Sequence, residues 1–398
     1  FFAGERLRYY WFYHSLAGTV GRALRVDLLH AFQFVALASL CVIVLFAGLV
    51  GRKYFRSTAA GLLVGYLALV GLNPLGPAVA AAKHFARGVP ILSRPQGTQT
   101  PVENVFVTDQ LADEWMTHPL LSAAYVSGDW RHGQNVVWFL DVSSRAPALA
   151  LIMVLMFLLL GARPKTGKGI AVAVTTALAV ALNPVLGLAA AGSLAAMFLL
   201  FSLFRPRDSS GANGGASERG TAFFFALACS AGVLLAAPTF YHLFSNEGTA
   251  ALSSPSHAAV KLAALAANFI VLVPLAVFGL LKASGEYKSR LWSMAAGGLM
   301  LLLAVPFIHL EEGNEHNLTN AAQVLLAVPA LAWFGRFPTL KGGGRFKRST
   351  LPLILFALFL PAAAVTLFSF SGRPGLPLGF SGRNLQRLPQ DGPVAGLY

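Results

Sequence analysis

The chain alternates long apolar runs with short polar gaps. A helix needs about 20 apolar residues to cross a hydrocarbon core of about 30 Å, and most of the runs approach that length. Only helices or closed barrels satisfy every backbone group inside a bilayer. The pattern predicts an all-α, polytopic integral membrane protein with about ten transmembrane helices, at 30–50, 57–75, 146–162, 169–184, 186–204, 221–240, 258–281, 291–308, 320–335 and 350–370.

The basic residues fall in every second gap between these runs. Gaps one, three, five, seven and nine together hold 17 basic residues against three acids, whereas the rest of the chain holds 13 of each. The formal net charge of +14 therefore lies on one side of the predicted membrane. Because Lys and Arg mark cytoplasmic loops, these loops are predicted to be cytoplasmic, and the protein is predicted to be multi-pass in the cell inner (plasma) membrane.

Composition narrows the function classes. The chain is 56% hydrophobic and 12% charged, with a mean hydropathy of +0.64, whereas soluble domains are about 25% charged. Nucleic acid is an improbable partner despite the basic balance, because the cations are divided among five short loops without interleaved aromatics. Membrane lipids with anionic headgroups are the expected partner. Cys41 and Cys229 lie inside apolar runs and are interpreted as small hydrophobic residues.

Five segments follow from this pattern. Residues 1–29 form an outer interfacial segment, whose aromatics suit the headgroup layer, and the hairpin 30–75 follows. The others are an outer loop with short helices at 76–145, an eight-helix transmembrane region at 146–370 and an outer C-terminal tail at 371–398. Since the first segment is predicted to lie on the non-cytoplasmic side, an odd number of spans, most simply one, is expected upstream of Phe1.

The first candidate site is the polar segment HLEEGNEHNLTN at 309–320. It holds the carboxylates of Glu311, Glu312 and Glu315, two imidazoles including His316, and three amides including Asn317. Such a segment could bind a divalent cation, sugar hydroxyls or a lysine-like head group, although it lacks a fixed ligand spacing such as HExxH. The alternative is a solvated loop in which Asn317 or Thr319 caps the next helix.

Two other segments are weaker candidates. Tyr13-His14-Ser15 is flanked by arginines whose guanidinium forks suit lipid-linked phosphates, and the alternative is anchoring to bulk headgroups; these arginines are Arg6, Arg8, Arg22 and Arg25. In WFLDVSSRAP (138–147), an acid and an arginine precede a span. Here capping by Asp141 or Ser143, with Pro147 in the first turn, is favoured over chemistry.

Several segments resemble the C-type glycosyltransferases, which are multi-pass enzymes that use polyprenyl-phosphate sugars. The matching stretches are YYWFYHSLAG (9–18), LNPLG (72–76), FLDVSSRAPALAL (139–151), LNPVLG (182–187) and EEGNEHNLTNAAQVLLAVPAL (311–331). The resemblance implies transfer of a sugar from a polyprenyl-phosphate donor to an acceptor at the outer membrane face. It also implies a general base in a first outer loop, expected upstream of Phe1, so no catalytic residue is named and this stretch alone is expected to be inactive.

The resemblance assigns roles to the candidate residues. Glu311, Glu312, Glu315, His316 and Asn317 are expected to bind substrate or a divalent cation, while His14 and Arg8 are expected near the lipid phosphate. On this interpretation 309–317 and 6–14 converge on one outer cavity. The alternative function is a non-enzymatic transporter or lipid carrier, although the mid-span acids typical of ion-driven transporters are not evident in the sequence.

Overall fold

The computed structural model describes residues 11–71, 135, 143–161, 164–204, 215–244, 250–252, 258, 261–262, 265–266, 269–282, 287–310 and 316–335. In chain order the elements are α1 (Trp11–Leu24), α2 (Leu28–Tyr54), α3 (Thr58–Leu69), α4 (Arg145–Leu160), α5 (Thr166–Leu182), α6 (Pro184–Phe204), α7 (Gly215–Leu235), α8 (Ala237–Phe244), β1 (Ala250–Leu252), α9 (Leu272–Lys282), α10 (Lys288–Ala304), β2 (Ile308–Leu310) and α11 (His316–Gly335).

The helical class predicted from the apolar pattern is confirmed. Each predicted run before residue 336 contains a helix, and the run at 350–370 lies outside the described residues. Within the described ranges, three helices are long and apolar enough to cross a membrane by length and composition, namely Leu28–Tyr54, Pro184–Phe204 and Glu218–Leu235. Shorter apolar helices accompany them. This architecture is compatible with an integral membrane protein.

Two local features differ from the prediction. The run at 221–240 is divided at Ala236 into α7 and α8. A short antiparallel pair also joins β1 and β2, with Ala251 opposite His309. The Lys261 ammonium, from the stretch between β1 and α9, donates to the Ile308 carbonyl of β2 at 3.0 Å. The all-α class is unchanged by this two-stranded ribbon, which the sequence did not predict because three-residue strands have no periodicity that a sequence pattern can reveal.

Helix α11 lies at the centre of the bundle. Every residue from 317 to 332 is buried, and the helix packs against α3, α4, α6, α9 and α10. The outer helices instead expose large apolar side chains, among them Leu37, Leu45, Leu203 and Leu227. Such extensive apolar exposure is typical of a surface that faces lipid and not water.

Glycines permit two close helix crossings. A Cβ added at Gly51 of α2 would overlap the backbone N and Cα of Gly61 on α3. On α7, a Cβ at Gly232 would overlap the Ala173 carbonyl of α5 and lie 2.5 Å from Thr176 Cβ. Small residues at helix contacts are typical of membrane bundles, where association depends on close packing and not on hydrophobic burial.

In the structure, alternate gaps between the apolar runs lie at opposite ends of the helix bundle. At one end, Tyr54 contacts Tyr287, with 5.6 Å between ring centroids, and Arg290 donates to the Leu160 carbonyl at 2.8 Å. These contacts join gaps one, three and seven, and this is the basic end. At the other end, Arg145 reaches Asn317 and Asn183 reaches Ser144, which joins gaps two, four and eight in what we call the amide end.

Candidate polar site at the amide end

The amide end begins with an Asn-Pro turn between two helices. Asn183 ends α5, and Pro184 is the first residue of α6. The buried Asn183 side chain accepts from the Leu186 amide at 3.0 Å and donates to the Ser144 hydroxyl at 3.1 Å. An asparagine N-cap followed by proline is the favoured start of a helix, so both polar atoms of Asn183 have a structural role.

An arginine and an asparagine join α4 to α11. Arg145 Nε donates to Asn317 Oδ1 at 2.8 Å, and Asn317 is fully buried. The Ser143 hydroxyl accepts from the Arg145 amide at 3.2 Å, but the N-cap residue of α4 is Ser144 and not Ser143 as predicted. Pro147 lies in the first turn as predicted. A buried amide thus orients the guanidinium at the amide end.

Two further amides bind the end of α3. Asn135 Nδ2 donates to the Ala68 carbonyl at 2.8 Å and to the Asn320 carbonyl at 3.1 Å. Gln323 Nε2 donates to the carbonyls of Leu67 at 3.0 Å and Ala68 at 3.1 Å. The last carbonyls of a helix have no intrahelical partner, so these side chains satisfy them. These hydrogen bonds use only the amide nitrogens of the two side chains. The amide oxygens, Asn135 Oδ1 and Gln323 Oε1, have no partner among the described residues.

Asn320 has no such structural role. The side chain is 0% exposed, and neither its Oδ1 nor its Nδ2 has a hydrogen-bond partner in the described part of the chain. Burying an unpaired amide costs about 1–3 kcal/mol, and polar groups inside a membrane domain mark functional sites by default. Together with Asn135 and Gln323, this amide provides three acceptor oxygens and one NH₂ donor group.

Only part of the predicted site falls within the described residues. Arg8, Glu311, Glu312 and Glu315 lie outside them, and His316 is the first residue of α11. Asn317 is placed in the polar site, but the prediction that Asn317 or Thr319 caps the helix is wrong, because α11 begins before both.

His14 lies on α1, whose buried face includes Tyr13 and Ala17. Its ring packs edge-on against Phe32, with 5.4 Å between centroids. Partial burial lowers the pKa of His14 and so favours the neutral imidazole. The described contacts of His14 are with Tyr13 and Phe32, and they do not include Asn317, so the predicted convergence of 6–14 with 309–317 stays a prediction.

Sequence reasoning assigned Arg145 to a capping motif and did not single out Asn135 or Gln323. A signal was present, because Asn317, Asn320 and Gln323 recur every three residues along one buried helix. This spacing places polar atoms on one side of a helix over two turns. Asn135 carried no comparable signal.

Neither a metal site nor a family relationship is shown. No group of three or more His, Cys, Asp and Glu side chains that could hold a metal ion is found within the described ranges. The carboxylates expected to bind a divalent cation lie outside those ranges.

Comparison with family models, curated proteins and solved structures gives no match. The resemblance to C-type glycosyltransferases is therefore carried by the sequence motifs alone.

Proposed function

We propose that the protein crosses the inner membrane about ten times, with its basic end in the cytoplasm, and transfers a sugar from a polyprenyl-phosphate donor to an acceptor at the outer face. The Asn320 amide at the amide end, which has no hydrogen-bond partner among the described residues, carries this proposal. A buried polar group is normally satisfied, so such an amide fits a ligand that supplies both donors and acceptors.

Sugar hydroxyls have that chemistry. Each hydroxyl donates one hydrogen bond and accepts others, which matches the acceptor oxygens of Asn135, Asn320 and Gln323 and the donor group of Asn320. The Arg145 guanidinium, held by Asn317, supplies positive charge at the same end for the departing phosphate. The acids of the segment before α11, among them Glu312 and Glu315, would bind the substrate or a divalent cation. The general base that deprotonates the acceptor hydroxyl would belong to the first outer loop that the resemblance implies.

The test measures release of polyprenyl phosphate from a panel of polyprenyl-phosphate hexoses and pentoses by the native protein in proteoliposomes. Asn320→Ala and Arg145→Lys should each lower turnover about tenfold or more, the effect of one lost hydrogen bond in a binding site. Ser202→Ala, on an exposed face of α6, is the matched control and should retain full turnover. Undiminished turnover in both site variants would remove the amide end from the mechanism.

The same observation supports one second function. The three amide oxygens that have no partner in the described part of the chain are also ligands for a hard cation such as Na⁺, as in an ion-coupled transporter. A cation would stabilise the protein against heat without any lipid-linked sugar, and Asn320→Ala would remove that effect. Sodium-dependent stabilisation without sugar release would favour transport, whereas sugar release that is insensitive to Na⁺ favours the transferase.

A further inference from the structure

Three cations from different helices meet within an aromatic frame at the basic end. Lys53 Nζ lies 4.9 Å from the ring centroid of Phe157 and 5.4 Å from that of Tyr54. Lys168 Nζ lies 5.2 Å from the ring centroid of Phe225. The helices α2, α4, α5 and α7 thus contribute to one small region, where the exposed Lys53 and the half-buried Lys168 each make cation–π contacts.

The third cation is deeply buried. Arg290 is 4% exposed and donates to the Leu160 carbonyl at the end of α4. Its guanidinium carbon lies 6.0 Å from the ring centroid of Phe225, which Lys168 also faces. We call Lys53, Lys168 and Arg290 the cation cluster.

The three positive charges of the cation cluster repel one another. Lys168 lies in the first turn of α5, ahead of the apolar run at 169–184. Desolvation and the positive charges of Arg290 and Lys53 lower its pKa to about 8. A bound anion would stabilise these three cations, because its negative charge offsets their mutual repulsion and part of the cost of their desolvation.

Acids are scarce on the side of the predicted membrane that holds the cation cluster. The five basic gaps hold 17 Lys and Arg but only Asp208, Glu218 and Glu286. Even if each acid paired with one cation, 14 cations on this side would have no carboxylate from these gaps. This excess of cations over acids favours the binding of an anion from outside the chain.

We propose that the cation cluster binds a phosphate anion, with Lys53 and Lys168 on either side of it and Arg290 beneath them. Basic pockets between helices on the cytoplasmic side bind anionic lipid headgroups, so the phosphate can belong to a phosphodiester lipid or be free phosphate. This site lies at the opposite end from the proposed sugar site and does not depend on it.

Gly161 offers a way to move one charge without removing it. A Cβ at Gly161 would overlap Lys168 Nζ and lie 3.0 Å from its Cε. The backbone at Gly161 has φ −63° and ψ 144°, which alanine adopts without strain. Gly161→Ala should therefore displace the Lys168 ammonium and leave the net charge unchanged.

The experiment reconstitutes the protein in phosphatidylcholine nanodiscs with or without phosphatidylglycerol and counts retained lipid by native mass spectrometry. Wild type should retain phosphatidylglycerol preferentially, and Lys168→Gln and Gly161→Ala should each reduce this preference about tenfold, as for one charge-assisted hydrogen bond. Lys165→Gln, an exposed cation three residues earlier, should not. Thermal unfolding in pure phosphatidylcholine checks that all variants are folded.

A second arm adds inorganic phosphate to protein in pure phosphatidylcholine and measures its thermal stability. Stabilisation that needs Lys168 would identify free phosphate as the ligand, and preferential lipid retention would identify the headgroup. Either result supports the site. An equal loss in Lys165→Gln and Lys168→Gln would show loop charge alone and overturn the proposal, as would the absence of both effects in wild type.

Discussion

Replacing Asn320 by leucine should stabilise the protein while removing its ligand response. Both amide atoms of Asn320 are buried and have no partner in the described structure. Leucine has a similar volume and no polar atoms, so Asn320→Leu should remove a penalty of about 1–3 kcal/mol. Asn183→Leu is the matched control, because both of its amide atoms are bonded. That variant should lose about 1–3 kcal/mol by leaving Ser144 and the Leu186 amide without partners.

The assay is reversible unfolding by SDS in mixed micelles, with the free energy of unfolding compared between variants. A polyprenyl-phosphate sugar at about 100 times its Kd should add about 2.7 kcal/mol to wild type and much less to Asn320→Leu. Equal destabilisation of Asn320→Leu and Asn183→Leu would refute the reasoning, since it would mean that the Asn320 amide is already satisfied without ligand.

Three other outcomes follow from particular contacts. Gly51→Ala should destabilise the protein by about 1–3 kcal/mol because its Cβ would overlap Gly61, whereas Gly48→Ala, with no atom within 4 Å, should leave SDS unfolding unchanged or slightly improved. Gln323→Leu should cost about 0.5–1.5 kcal/mol in the same assay, since it removes the hydrogen bonds to the Leu67 and Ala68 carbonyls, which keep the Gly71 amide and Asn135 as their other donors. Phosphatidylglycerol retention should strengthen as pH falls through about 8, because Lys168 gains its proton there, and the Lys168→Gln profile should be flat; an equal pH response in both would contradict this.

The sign of the last effect follows from the direction of the pKa shift. The pKa of Lys168 is lowered from its ordinary value of 10.5 to about 8, so the folded protein disfavours the charged form. Without ligand, this group makes the folded state progressively less stable as pH falls from about 10.5 to about 8. A bound phosphate reverses the preference, so its affinity rises over the range in which Lys168 becomes protonated. Lys53, Arg290 and the tyrosines Tyr54 and Tyr287 also face this region.

The sequence predicted the helices well because apolar runs interrupted by charged gaps are local features. The Asn-Pro turn at Asn183 was also predictable, since capping depends on neighbouring residues. The polar site was not, because its bonds join distant positions. Asn135 reaches the Asn320 carbonyl, and Arg145 reaches Asn317. Hydrophobic periodicity specifies which face of a helix is buried but not which helix lies against it.

The cation cluster shows the same limit. The gaps that hold Lys53, Lys168 and Arg290 were predicted to share one side of the membrane, and the structure brings these residues to one end of the bundle. Their mutual proximity depends on how α2, α5 and α10 pack around α4. That arrangement is a tertiary property that residue types in sequence do not encode locally.

Both proposals depend on which side of the membrane each end faces, and cysteine labelling measures this sidedness directly. Cys41 and Cys229, both free, are replaced by alanine, and a single cysteine is introduced at Thr19 or at Lys165, both of which are exposed. An impermeant maleimide is then added to intact spheroplasts. The account predicts that the cysteine at position 19 reacts at once and that the one at 165 reacts only after the membrane is permeabilised. Labelling of both from the same side, or the reverse order, would contradict it.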